Sequence, residues 1–184
     1  MDRRERKTRT AIFTAFIELV SRKNYNKITV EEIINLANVG RATFYSHFET
    51  KDYLLKELAE ELFCHIIDST LEIENNHVHI FSCDATDSVF LHLLKHIQNN
   101  DNNILKLLSS QNNELFLNYF KANLYKLVKR NLSKFDNKNY KILPESFIIN
   151  HITTVFVETV KWWIDDGMKA SAQTIYEYFI SITK

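Results

Sequence analysis

Apolar residues recur at helical spacing along most of this chain. Between residues 3 and 21, Ala11, Ile12, Ala15, Phe16, Leu19 and Val20 follow the i, i+3, i+4 rhythm of a helix with one buried stripe. A polar break covers residues 22–27. Thr29, with Glu32 three positions on, forms a capping box that opens a short helix carrying Val30, Ile33, Ile34 and Ala37. Asn38, Val39 and Gly40 make a three-residue turn before a second short helix over residues 41–47, which carries Phe44 and ends at Phe48. Two short helices joined in this way have the pattern of a helix-turn-helix.

Thr50 caps a long amphipathic helix, with Tyr53, Leu54, Leu55, Leu58, Leu62, Phe63, Ile66 and Ile67 at helical spacing and an end near residue 73. Residues 74–84 show no period and read as a loop. Helices follow over residues 86–98, 104–108 and 113–132, with a polar run at 99–103 and a polar loop at 133–141. Pro144 suits the first turn of a helix reaching residue 165, which Gly167 closes in a left-handed cap; Ser171 caps a last helix through residue 182. The expected fold is all-α, with about nine helices and no internal repeat.

Composition sharpens this. An average chain has about 7% Gly and 5% Pro, whereas this one has two glycines and one proline in 184 residues. Phosphate-cradling loops and the nucleophile elbow of hydrolases need several glycines close together, so none of them can be built here. No nucleophile with a base, carboxylate pair or cofactor loop stands at a recognisable spacing, so neither an enzyme nor a cofactor is expected. Cys64 and Cys83 form neither a disulfide framework nor a CxxC pair. The amino terminus is charged from residue 2, and no run approaches 18 apolar residues. A soluble cytoplasmic protein without a membrane partner is expected.

Net charge is zero, yet it is unevenly spread: residues 1–56 carry 11 basic and 7 acidic side chains, residues 57–184 carry 12 and 16. Arg3, Arg4, Arg6, Lys7 and Arg9 crowd the first ten residues. Such asymmetry suits either a solvated helix start or an end that faces nucleic acid.

Residues 29–54, TVEEIINLANVGRATFYSHFETKDYL, resemble the helix-turn-helix signature of TetR/AcrR-family transcriptional regulators, from the capping box through the Thr-Phe-Tyr-x-His-Phe core to the following Lys-Asp-x-Leu. The resemblance implies a helix-turn-helix DNA-binding domain over residues 1–50 and a regulatory and dimerisation domain over 51–184. It implies a double-stranded DNA operator as partner and a homodimer formed through the last two helices. A repressor released by a small-molecule effector is the expected activity; the alternative on the same fold is an activator or co-regulator working with a protein partner. The ending TVKWWIDDGMKASAQTIYEYF also resembles a regulatory-domain subgroup common in low-GC Gram-positive bacteria.

Physical requirements point to individual residues. A recognition helix places small or hydrogen-bonding side chains at its start, where they reach base edges in the major groove. Arg41 can fork onto guanine, and Ala42 or the Thr43 methyl can meet a thymine methyl, while Phe44 and Phe48 turn inward onto Ile33, Ile34 and Phe16. Thr29, Tyr45, His47 and Lys51 match family positions that hold DNA phosphates. Among Arg4, Arg6 and Arg9, one or two are expected on the neighbouring backbone or minor groove. The family usually has Ser where Gly40 stands and often Gly where Ala42 stands.

Phe147, Ile148, Ile152, Val155, Phe156, Val160, Trp163 and Ile164 in one of the last two helices, and Ile175, Tyr178, Phe179 and Ile182 in the other, are apolar around much of the circumference, which calls for partners on more than one side. The other reading is burial within the monomer. Phe116, Tyr119, Phe120, Phe156 and Trp162 are candidates to line an effector pocket, against the plainer reading of core filling. His92 and His96 stand at i, i+4, a spacing that suits zinc, with His77, His79, Cys64 and His65 as candidate completing ligands. They lack the tight pairs of a structural zinc motif, and His92 falls outside the arc of Val89, Phe90, Leu93, Leu94 and Ile97, so no metal site is expected.

Overall fold

Side-chain caps and apolar arcs set the helix boundaries. The computed structural model describes residues 3–70, 88–99, 103–109, 114–135 and 142–183. They form α1 (Arg3–Arg22), α2 (Val30–Ala37), α3 (Arg41–His47), α4 (Lys51–Thr70), α5 (Val89–Gln98), α6 (Ile104–Ser109), α7 (Glu114–Arg130), α8 (Glu145–Asp165) and α9 (Ala172–Thr183), with 3₁₀ turns at Tyr25–Lys27 and Leu132–Lys134. No strand occurs among the described residues, in keeping with the all-α expectation. The loop expected at residues 74–84, most of that at 133–141, the end of α4 near residue 73, the helix starts at 86 and 113, part of the polar run 99–103, and His77, His79 and Cys83 lie outside the described residues.

Thr29 accepts from the Glu32 amide at 3.2 Å while Glu32 accepts from the Thr29 amide at 2.9 Å, the reciprocal box that starts α2. Thr50 accepts from the Tyr53 amide at 2.9 Å at the head of α4, and Ser171 from the Thr174 amide at 3.2 Å at the head of α9. α8 ends with the Met168 amide on the Trp163 carbonyl and the Gly167 amide on the Ile164 carbonyl, with Gly167 at φ 74°. The residues read as a polar break include one core member, because Tyr25 is buried beside Phe16.

α1, α2 and α3 pack around Ile12, Phe13, Phe16, Ile33, Phe44 and Phe48, all of them buried. Each such phenylalanine contributes about 1.5–3 kcal/mol by leaving water. α4, 20 residues long, runs from this head into the body, where it packs on α5 and α7. The α6 end of the body is tied back to α1: the Asn103 side-chain amide donates to the Ile17 carbonyl at 3.2 Å, and Lys106 donates to the Ser21 carbonyl.

α5 corrects an expectation. From Val89 to Ile97 every side chain except Lys95 is buried, His92 included, because α5 is covered on more than one side and packs on both α4 and α9. A helix enclosed in this way has no polar face for His92 to occupy. The helix wheel places His92 outside the apolar arc, but that arc does not bound the buried surface here.

Candidate nucleic-acid interface

α2 ends at Asn38, which takes the left-handed conformation at φ 52° and closes the helix with its amide on the Asn35 carbonyl. The short polar side chain of asparagine tolerates this backbone region well. Val39 and Gly40 carry the chain to α3. Gly40 itself sits at φ −71°, ψ 153°, open to any residue, and a Cβ there would meet only the Thr43 hydroxyl at 3.6 Å. The turn is therefore made by Asn38, not by the glycine, and α3 starts without a side-chain cap.

The seven residues of α3 divide cleanly. Phe44 is fully buried, as is Phe48 just past the helix; their rings lie 5.9 Å apart, and Phe48 meets Phe13 edge-on at 5.3 Å. This aromatic base fixes the outer face. There Arg41, Ala42 and Thr43 are exposed in the first turn, as base contacts require. Tyr45, 44% exposed, leans edge-on against Phe44, and the Arg41 guanidinium lies 5.8 Å over its ring. His47 is half-buried beside Phe48. Thr29 stands exposed at the head of α2, its amide and hydroxyl engaged in the capping box. Lys23 donates to Glu32, and with the Thr29 groups it holds that carboxyl down at about 2.

Lys51 has an internal task that the sequence did not suggest. Its ammonium donates to the carbonyls of Tyr25 at 3.1 Å and Ile28 at 2.9 Å and lies 4.2 Å over the Tyr25 ring. Burial pushes it below the ordinary lysine value, with Asp52 acting against the shift and Lys23 with it. Tyr25 in turn donates to Asp52, and burial followed by that bond raises the phenol well above its ordinary value. Lys51 thus ties the head of α4 to the 3₁₀ turn that precedes α2.

The basic arm also sorts itself. Arg4 is exposed and Arg6 half-exposed on the first turns of α1. Arg9 is different: it pairs with Glu57, lies 3.7 Å from Glu61, and stacks over Phe13 at 5.1 Å and Phe48 at 4.9 Å. It clamps α1 to α4 behind the aromatic base. The signal was in the sequence, since Arg9, Phe13 and Phe16 share one helical arc, but the two glutamates stand 48 and 52 residues away.

The five aromatics proposed as an effector lining do not meet in one place. Phe116 and Phe120 face each other on α7 at 6.2 Å, Phe120 meets Phe63 of α4 at 5.2 Å, and Tyr119 is half-buried. Phe156 belongs to a second group with Phe90 at 5.9 Å and Phe179 at 5.1 Å. Trp162 is 52% exposed and lines nothing internal, whereas its neighbour Trp163 is fully buried and donates to the Ala170 carbonyl at 2.9 Å.

A short helix whose outer turn is polar and whose back is phenylalanine, presented by a capped partner helix on an all-helical body, defines a helix-turn-helix regulator. The comparisons with known proteins give the family. A family model described as "Bacterial regulatory proteins, tetR family" matches residues 12–58, and one described as "Transcriptional regulator C-terminal region" matches residues 84–184. A crystal structure of a TetR transcriptional regulator from Streptococcus agalactiae 2603V is 34% identical, with a TM-score of 0.75 over 100% of this chain and 97% of that one. The chain belongs to the TetR family of transcriptional regulators. The secondary repressor of the MexAB-OprM multidrug efflux pump of Pseudomonas aeruginosa, NalD, shares the fold at 18% identity, with a TM-score of 0.58 over 99% of this chain and 96% of that one. An uncharacterized HTH-type transcriptional regulator of Bacillus subtilis, YxbF, is 38% identical over 69 residues, 37% of this chain and 18% of that protein. The chain thus matches less than a fifth of that relative's length. No helix among the described residues is long and apolar enough to cross a membrane.

Proposed function

We propose that this regulator is a homodimeric, operator-binding repressor released by a small-molecule effector, and not an enzyme, working in the cytoplasm where its DNA lies. Residues 1–50 form the DNA-binding domain and residues 51–184 the regulatory and dimerisation domain. The observation that carries the reading is the exposed turn Arg41–Ala42–Thr43 held on the buried pair Phe44 and Phe48. These three side chains read base edges; Tyr45, His47, Arg4 and Arg6 hold phosphates, Thr29 does so by turning its hydroxyl from the Glu32 carboxylate to a phosphate oxygen, and Lys51 contributes from the edge of the site through whatever donor its two carbonyl bonds leave over.

The outer sides of α8 and α9 support the dimer. Phe147, Trp162, Tyr178 and Ile182 are exposed there, while Ile148, Ile152, Phe156, Val160, Ile175 and Phe179 fill the monomer. Two copies joined on this face would present two recognition helices to successive half-sites.

The test is duplex binding by the purified chain, first across a salt series and then with Arg41→Ala. Wild-type affinity falls steeply with salt. Arg41→Ala loses about 1–3 kcal/mol at one base pair of a selected site and little on random duplex. Equal loss on both duplexes would reassign Arg41 to the backbone, and no specific binding even at low salt would defeat the reading.

A further inference from the structure

Among the described residues, three histidines gather where α4 packs against α5. His65 of α4 is 5% exposed, and His92 and His96 of α5 are 1% and 2% exposed. Their ring centroids lie 5.2, 4.9 and 4.8 Å apart, and one potential ligand nitrogen from each lies within 4.8 Å of the others. The Nε2 atoms of His92 and His96 are 3.0 Å apart. The i, i+4 spacing on α5 aims those two rings the same way, and α4 supplies the third from across the interface.

Three buried imidazoles converging between α4 and α5 need a reason. Burying polar rings is unfavourable unless their nitrogens find strong partners. A hydrogen bond between two neutral rings satisfies one donor and one acceptor, whereas a divalent cation can take a lone pair from all three at once. We propose that His65, His92 and His96 form a binding site for a divalent transition-metal ion, with zinc the best fit. Neutral imidazole suits zinc and its neighbours, and three histidines leave one position for water or a small anion. Cys64, beside His65, is exposed, so among the described residues the site has no thiolate.

The dimensions allow it. With zinc–nitrogen bonds of about 2.0–2.1 Å, tetrahedral neighbours stand roughly 3.3–3.4 Å apart. The His92–His96 pair is within a few tenths of an ångström of that spacing, and since no separation exceeds 4.8 Å, the remaining ones close by at most about 1.5 Å, within reach of a modest ring rotation.

The position gives the ion a consequence. α4 begins three residues after Phe48, so an ion bridging His65 to α5 ties the helix that follows the recognition helix to the centre of the body. Used as the effector, this ion rests on the DNA-binding reading above; its binding does not. The experiment therefore has two arms. In the first, the full chain is stripped with chelator and titrated with Co²⁺ and Zn²⁺. One ion per chain, a tetrahedral Co²⁺ absorption displaced by Zn²⁺, and a zinc-dependent rise in Tm support the site. His65→Gln and His92→Gln, each checked for native helicity, lower Zn²⁺ affinity by roughly a hundredfold or more, while His151→Gln on the exposed side of α8 leaves it unchanged. No Co²⁺ absorption, or Zn²⁺ affinity unaltered in both variants, would overturn the site and leave a hydrogen-bonded histidine core. In the second arm, Zn²⁺ shifts affinity for a duplex selected by the wild-type chain, and the shift vanishes in His65→Gln. An unchanged affinity overturns the effector role alone; failure to bind any duplex defeats the DNA reading without touching the first arm.

Discussion

Two faces of this molecule point outward over buried aromatic side chains, and they differ in what they present. The outer turn of α3 presents Arg41, Ala42, Thr43 and Tyr45 above the buried Phe44 and Phe48. The outer sides of α8 and α9 present Phe147, Trp162, Tyr178 and Ile182 above the buried Phe156, Trp163 and Phe179. A small, polar and cationic turn suits the edge of a groove lined by acceptors and phosphates. Large apolar side chains at 48–63% exposure suit a surface of the same kind. The difference teaches that the buried halves of these elements report the fold and the outward halves report the partner.

The largest effects separate those halves. Phe44→Ala and Trp163→Ala each remove a fully buried ring, and each lowers unfolding free energy by about 3–5 kcal/mol in chemical denaturation. If Phe44→Ala left stability intact, the aromatic base would not be what holds α3. On the outer face, Trp162→Glu leaves the monomer folded and raises the dimer dissociation constant by at least about 30-fold, roughly 2 kcal/mol, read by sedimentation. A stable dimer in that variant would move the interface off this face.

A second pair tests the basic arm. Arg9→Ala loses two ring contacts and a partly buried ion pair, lowering stability by about 1–2 kcal/mol. Arg4→Ala leaves stability unchanged and reduces the salt slope of DNA binding by about one. The same behaviour in both variants would erase the division between clamp and arm.

What the sequence made legible was local. Caps at Thr29, Thr50 and Ser171, the Gly167 stop and the helix-turn-helix need only neighbours within a few positions, and all of them appear. What it hid depends on residues far along the chain. Trp162 and Trp163 are identical letters one step apart, and the 100° turn between them sends one out and the other onto the Ala170 carbonyl. Lys51 looks like any cation after a recognition helix until the Tyr25 and Ile28 carbonyls stand beneath it. His92 looks solvent-facing until α5 is enclosed, because amphipathic reasoning assumes a helix has one buried side.

The two glycines give the finest version of the same contrast. Gly167 sits at φ 74° closing α8 beneath the proposed dimer face, a backbone region that penalises any Cβ even though nothing lies within 4 Å of it. Gly167→Ala therefore lowers stability by about 1–2 kcal/mol through strain alone. Gly40 opens the recognition helix at φ −71°, where a side chain fits without strain and the helix lacks a cap. Gly40→Ser should raise stability by a few tenths of a kcal/mol, as its hydroxyl comes to accept from an amide of the first turn of α3. Paired thermal melts decide between them, and loss in both variants would mean that the turn before α3 needs its glycine after all and that Asn38 does not carry it alone.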